Sequence, residues 1–288
     1  MRVLVLGATG MLGHVVAERF ADHFELHSGV RDAERARGLG VAGELHAVDA
    51  MDPASCAALV AELEPVAVVN AIGLVKQLEE ASMPVPAVTV NSLLPHVLAD
   101  ACAAQGARLV HVSTDCVFTG ALAAPAAYRE SDLPDALDLY GRTKLLGEVL
   151  AAPGVTLRTS IIGHELDRAS GLLAWFAAQD GTAVSGFTNA IFSGLTTRAL
   201  ARVIEAVILD HAALAGLYHV AAQPISKYDL LMRLRDVLGL QCEITAVDEP
   251  RINRALDGSR FREATAIEVP SWDDMLSEYD RGSDDPHS

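Results

Sequence analysis

Along the first half of the chain, short β-branched apolar runs alternate with longer segments whose apolar residues recur at helical spacing. The runs Val3–Leu6, Glu25–Val30, Leu45–Val48, Val66–Asn70 and Leu109–Ser113 read as strands. Leu12–Ala21, Pro53–Glu64 and Ala87–Gln105 read as helices, with Pro53 suited to a first helical turn. Near-continuous apolar strands separated by helices predict a parallel sheet covered on both faces, a doubly wound Rossmann-type α/β unit. After Ser113 a Pro/Ala-rich loop, Thr119–Leu137, leads to a helix over Leu139–Leu150 and a strand over Val155–Thr159. From Ile161 the rhythm loosens and glycines punctuate short strands. This predicts a large unit over 1–160 and a smaller C-terminal α/β domain over 161–279, with Thr196–Leu209 a helix able to return to the first unit. The polar stretch 280–288 reads as a frayed tail.

Composition narrows the partners. The 288 residues carry 22 Lys+Arg against 38 Asp+Glu, a formal charge of −16, and so acidic a surface repels nucleic-acid phosphates and anionic lipid. Neither nucleic acid nor membrane is an expected partner. An anionic small molecule stays compatible, because a few arginines can set the potential of a cleft. The four cysteines are scattered without a C-x-x-C pair, which suits reduced thiols in a cytoplasmic protein. No apolar run approaches the roughly 18–20 residues of a membrane span, and Met1–Leu6 runs into glycines before a signal-peptide core could form. The ten histidines show no H-E-x-x-H or other tight ligand spacing, so no metal is expected.

In such sheets ligands gather beyond the carboxyl ends of the strands, so residues just past each strand carry the functional weight. Gly7-Ala8-Thr9-Gly10-Met11-Leu12-Gly13 follows the first strand and opens a helix. A backbone that must turn tightly and approach a pyrophosphate needs glycine there, and free N–H groups at the helix start meet the charge. The expected cofactor-binding set begins with Gly7, Thr9, Gly10, Met11, Leu12 and Gly13, and 1–160 reads as a dinucleotide-binding domain. About 20 residues on, an acidic side chain suits the NAD ribose and an arginine the extra phosphate of NADP. The stretch Val30-Arg31-Asp32-Ala33-Glu34-Arg35-Ala36-Arg37 mixes both signals; Arg31, first after the strand, favours NADPH over NADH. Asp49 after the third strand is placed to meet the adenine, and Asn70-Ala71-Ile72-Gly73 after the fourth to line the middle of the cofactor. Asn91 reads as an internal hydrogen-bond anchor.

Ser113-Thr114-Asp115 lies beyond the fifth strand, and Tyr140 begins a helix 26 residues after Thr114. Tyr140 and Lys144 are i,i+4 neighbours on one helical face. An ordinary phenol has a pKa of about 10, and a cation beside it is expected to favour phenolate and pull that value down. Thr114, Tyr140 and Lys144 are the candidate catalytic residues: Tyr140 moves a proton, Lys144 also holds the nicotinamide ribose, and Thr114 offers a second hydroxyl to the substrate oxygen. A one-residue shift of strand register would substitute Ser113 for Thr114.

Together, Gly7–Gly13, Ser113–Gly120 and Tyr140–Glu148 resemble the extended short-chain dehydrogenase/reductase family, and within it the dTDP-4-dehydrorhamnose reductase branch. The resemblance is specific through about residue 165. It implies NAD(P)H-dependent reduction of the 4-keto group of a nucleotide-linked 6-deoxysugar in carbohydrate biosynthesis, with 161–279 as the substrate domain. Related 4,6-dehydratases follow the threonine with Asp-Glu; here Asp115 is followed by Cys116, so elimination chemistry is disfavoured. The reductase branch usually has tyrosine at the Cys116 position, a departure that changes the local pocket. Two other readings fit the same residues: a nucleotide-sugar epimerase with tightly held NAD, and a non-catalytic cofactor-binding regulatory subunit.

In the second half, Arg158–Gly163 follows the sixth strand and is expected to cross the nicotinamide end. Ser185–Gly194 offers a polar and aromatic wall for a sugar or base, or a turn with two core phenylalanines. Arg251, Arg254, Arg260 and Arg262 concentrate positive charge fit for a nucleoside diphosphate, although surface ion pairs explain them equally. A homodimer is the default assembly.

Overall fold

The computed structural model of the protein describes residues 1–76, 79–166 and 171–279, so the expected tail at 280–288 lies outside the described residues. Six parallel strands appear close to where the pattern put them: β1 Arg2–Leu6, β2 Glu25–Val30, β3 Glu44–Ala47, β4 Ala67–Asn70, β5 Arg108–Thr114 and β6 Gly154–Thr159. A seventh, Gly216–His219, pairs with β6 at the sheet edge, and the order across the sheet is Gly216–His219, β6, β5, β4, β1, β2, β3. The order reverses between β1 and β4, the position at which doubly wound sheets bind ligands.

Strand alternation explains the two faces. Val3 and Val5 enter one apolar core with Val16 and Phe20 of helix α1, Gly13–Phe20, while Leu4 and Leu6 enter the other with Cys56 and Leu59 of helix α3, Pro53–Leu63. Both faces are covered, so the strands are apolar throughout. Helix Thr197–Asp210 packs beside α1, its Leu200, Ile204 and Val207 in the same core. The strand Gly216–His219 also joins this sheet, so residues on both sides of the expected boundary at 160 contribute to it. The remaining lobe pairs Ala183–Phe187 with Glu243–Val247, and sets Ala190–Phe192 between Ile225–Ser226 and Ile252–Asn253, against helix Lys227–Leu238.

Two further expectations change. Helical structure runs without a break from Pro84 to Gln105 through a π-helical turn at Thr89–Leu93, 22 residues that include an 18-residue window of mean hydropathy 1.2, long and apolar enough to cross a membrane. Its Leu94, Leu98 and Cys102 instead fill the core beneath the sheet. The helix at Leu139 ends at Leu146 rather than Leu150, because Gly147 caps it. Cys56, Cys102 and Cys242 are buried, and burial pushes the Cys102 thiol up to about 12.

Candidate active site

The glycine turn forms a cradle at the switch point. Gly7 adopts φ +83°, and a Cβ there would lie 3.0 Å from the Ala71–Ile72 backbone; a methyl at Gly13 would collide with the Gly7 carbonyl. The turn's own bonds, Gly7 and Ala8 N–H to Gly29 O and Gly10 N–H to Gly7 O, leave the N–H groups of Thr9, Met11 and Leu12 without a backbone acceptor among the described residues. Donors of this kind at a helix start fit a pyrophosphate. The Leu12 side chain is core, so only its backbone can serve.

Arg31 and Asp49 are exposed beyond β2 and β3. Asp32 caps helix Ala33–Gly38 by accepting from Arg35 N at 3.0 Å, while Arg31 faces solvent. Asp49 accepts from Met51 N at 2.8 Å. Asn70 is corrected to a supporting role, because it is fully buried with its amide on His111 Nδ1 at 3.1 Å and its carbonyl oxygen accepting from Ile72 N at 3.1 Å. Ala71, Ile72 and Gly73 after it remain partly open, and a Cβ at Gly73 would sit 3.8 Å from the Lys144 amine.

Thr114 and Tyr140 face each other, and Lys144 lies one turn along the Tyr140 helix. Asp138 caps the Tyr140 helix through Gly141 N at 2.8 Å, and Gly141 lets it approach the turn after β5, since a Cβ there would strike the Cys116 carbonyl. Buried Asn91 bonds Leu74 N and O at 2.9 and 3.1 Å and Thr143 Oγ1 at 3.3 Å, while Ser92 Oγ donates to Thr143 O at 2.8 Å. These bonds join the β4 loop and the π-helical turn to the Tyr140 helix. Thr114 Oγ1 faces the Tyr140 phenol, accepts from Cys116 N at 3.1 Å, and donates to Asp115 Oδ1 at 3.3 Å. Ser113 points the other way, donating to Glu148 Oε1 at 2.8 Å, so the register selects Thr114.

The electrostatics differ from expectation. Burial, reinforced by Cys116, pushes the Tyr140 phenol well above its ordinary value instead of below it. The i,i+4 spacing is present, but Lys144 Nζ is turned under the helix to donate to Val112 O at 2.8 Å, and burial lowers it to about 8. Asp115 is raised by burial, which the Arg254 and Lys227 charges oppose.

Lys227 had no signal in the sequence. It starts its helix behind the Ser226 cap, lies 4.0 Å over the Phe192 ring, and directs its charge at Asp115 and Cys116. Of the four arginines only Arg254 faces this turn, its Nε donating to Phe118 O at 2.9 Å. Arg251 bonds Glu249, Arg260 lies over Tyr218, and Arg262 bonds Ser259. Arg158 is corrected as well: it lies within β6, buried on Glu148, not at the nicotinamide end. In Ser185–Gly194, Phe192 is core and Phe187 is exposed, while Thr188 and Ile191 line a groove with Ser226 and Asn253.

Comparison with known proteins places these features in a lineage. The chain is 25% identical to a dTDP-4-dehydrorhamnose reductase of Aggregatibacter actinomycetemcomitans, over 96% of this chain and 97% of that one. It is 33% identical to methionine adenosyltransferase 2 subunit beta of Xenopus laevis over 51% of this chain, a match spanning only 41% of that relative. Its fold matches a Bacillus anthracis dTDP-4-dehydrorhamnose reductase solved in complex with NADP, with TM-score 0.80 at 20% identity, covering 96% and 98% of the two chains. The RmlD substrate binding domain family model matches residues 1–280, and the chain belongs to that family.

Proposed function

We propose that this protein is an NADPH-dependent oxidoreductase that reduces the 4-keto group of a nucleotide-linked 6-deoxysugar, as a dTDP-4-dehydrorhamnose reductase does. The observation that carries this reading is the Thr114 hydroxyl facing the Tyr140 phenol, with Lys144 one turn along the same helix and its amine beside Gly73 of the β4 loop. The turn's N–H groups would hold the pyrophosphate, and exposed Arg31 would meet the 2′-phosphate. Bound reduced nicotinamide supplies a hydride.

A phenol with a raised pKa is protonated at neutral pH, the form a reduction needs. Thr114 Oγ1 orients the carbonyl oxygen by hydrogen bonding. As negative charge grows on that oxygen, Tyr140 gives it the phenolic proton, and protonated Lys144 stabilises the phenolate left behind. Arg254 and Lys227 oppose the burial that raises Asp115, which lies beside Thr114 where the sugar's hydroxyls would approach.

The test is a panel of dTDP-, UDP- and GDP-linked 4-keto sugars with NADPH oxidation followed optically. The dTDP-linked 6-deoxy compound is expected to turn over fastest. Stoichiometric nicotinamide retained through purification, with no net oxidation, would instead indicate an epimerase. A subunit role is a second reading, supported by the 33% identity to methionine adenosyltransferase 2 subunit beta; absence of turnover with every sugar would favour it.

A further inference from the structure

We propose that His27, Glu44 and His46 form a binding site for one divalent transition-metal ion of the zinc class, at the β2–β3 edge of the sheet. The ligand spacing is invisible along the chain because it is made across two parallel strands. His27 pairs in register with Glu44, and Gly29 with His46, so alternation puts the three side chains on one face.

Their donor atoms cluster. His27 Nδ1 lies 2.9 Å from His46 Nε2 and 3.7 Å from Glu44 Oε2, and Glu44 Oε1 lies 4.0 Å from His46 Nε2. Ligands about 2.0–2.1 Å from a tetrahedral zinc are separated from one another by roughly 3.3 Å; the imidazole nitrogens lie slightly inside that value and one Glu44 oxygen faces each of them slightly outside it, the three donors lying within 4.8 Å of one another, so a small rotation of the exposed Glu44 closes the set. Two imidazole nitrogens facing each other at 2.9 Å need either a hydrogen-bonded proton or a cation between them. Two imidazoles and a carboxylate suit zinc, cobalt or nickel, and not the oxygen-only sites of magnesium or calcium.

The outer partner is present too. His27 is 5% exposed, and its second nitrogen, Nε2, is buried without a hydrogen bond. The nearest acceptor recorded is Glu25 Oε1 at 3.7 Å, a carboxylate held by Arg2 through bonds of 2.7 and 2.9 Å. An ion on Nδ1 places the proton on Nε2, facing Glu25: the carboxylate–histidine–metal arrangement that orients ligating histidines. The Glu44 side chain is 70% exposed, which leaves a solvent-side entry and a position for water as fourth ligand. The site sits three strands away from β5, so its role is to tie the outer strands together rather than to take part in the reaction.

The experiment uses the untagged full chain, stripped with chelator and titrated with Co²⁺ and then Zn²⁺. One equivalent of cobalt should give the intense visible bands of tetrahedral coordination, displaced by one equivalent of zinc. Zinc in 100-fold excess over its Kd should raise the melting temperature by about 5 °C or more. Glu44→Gln and His46→Gln should weaken binding by more than the roughly 10- to 100-fold typical of a lost outer partner. His27→Gln risks the fold, and Glu44→Gln, at an exposed side chain, decides if either histidine variant fails to fold. No saturable one-to-one binding, or equal affinity in Glu44→Gln, would overturn the site and leave a hydrogen-bonded histidine pair.

Discussion

Ser113 and Thr114 are neighbours on β5, yet they meet two buried polar clusters of opposite character. Behind Ser113, Glu148 accepts from Ser113 at 2.8 Å and from Arg158 through two bonds of 2.6 Å, both charged side chains being 3% exposed. Arg158 also reaches His219 Nε2 at 3.3 Å, and because arginine only donates, the His219 proton is on Nδ1, toward Tyr128 O at 3.1 Å. Its guanidinium lies 5.3 Å from the Phe118 ring centroid. Every strong group there has a partner. In front of Thr114, by contrast, a phenol and an amine displaced from their ordinary pKa values stand beside an open loop. Buried polarity that is fully paired holds the scaffold, whereas buried polarity left with capacity is available for chemistry.

The comparison can be broken at its paired side first. Arg158→Met leaves Glu148 buried with one neutral donor and should cost about 3–5 kcal/mol in denaturant unfolding. A loss below about 1 kcal/mol would mean that the pair is not sealed from water. Next, burial and the nearby Arg158 lower His219 to about 4. The unfolded chain takes up that proton near pH 6.5, so stability is full above this pH and falls as pH drops toward 4, by up to about 3 kcal/mol. His219→Gln should flatten that limb, and an unchanged profile would assign acid sensitivity elsewhere.

On the open side the effects move to turnover. Tyr140→Phe should lower kcat by roughly 100-fold or more while NADPH affinity and stability persist. Near-wild-type turnover would remove Tyr140 as proton donor. The smallest change is Arg31→Ala, which should weaken NADPH about 10-fold relative to NADH, the scale of one charge-assisted hydrogen bond. Equal losses for both cofactors would show that Arg31 does not read the phosphate.

Much of this was legible along the chain because buried parallel strands are apolar on both faces and helices between them are periodic. Strand ends shifted by a residue or two: β5 runs Arg108–Thr114 where Leu109–Ser113 was expected. The strand Gly216–His219 escaped because four residues with two apolar side chains carry no clear period, and only pairing with β6 defines it. Tyr140–Lys144 spacing marks residues one turn apart on a helix, but spacing does not reveal desolvation or that the amine is engaged by the Val112 carbonyl. Lys227 was silent because nothing local distinguishes a lysine after a serine cap from any helix start; it matters only through what lies across the fold.

The return of Gly216–His219 to the sheet makes the second lobe partly an excursion out of the first. A fragment ending at residue 160 would therefore present β6 as a naked border, ready to recruit strands from other copies. Evolution or engineering that exchanges the second lobe must graft two junctions at once, one on either side of 197–219, and any single splice strands half of the scaffold.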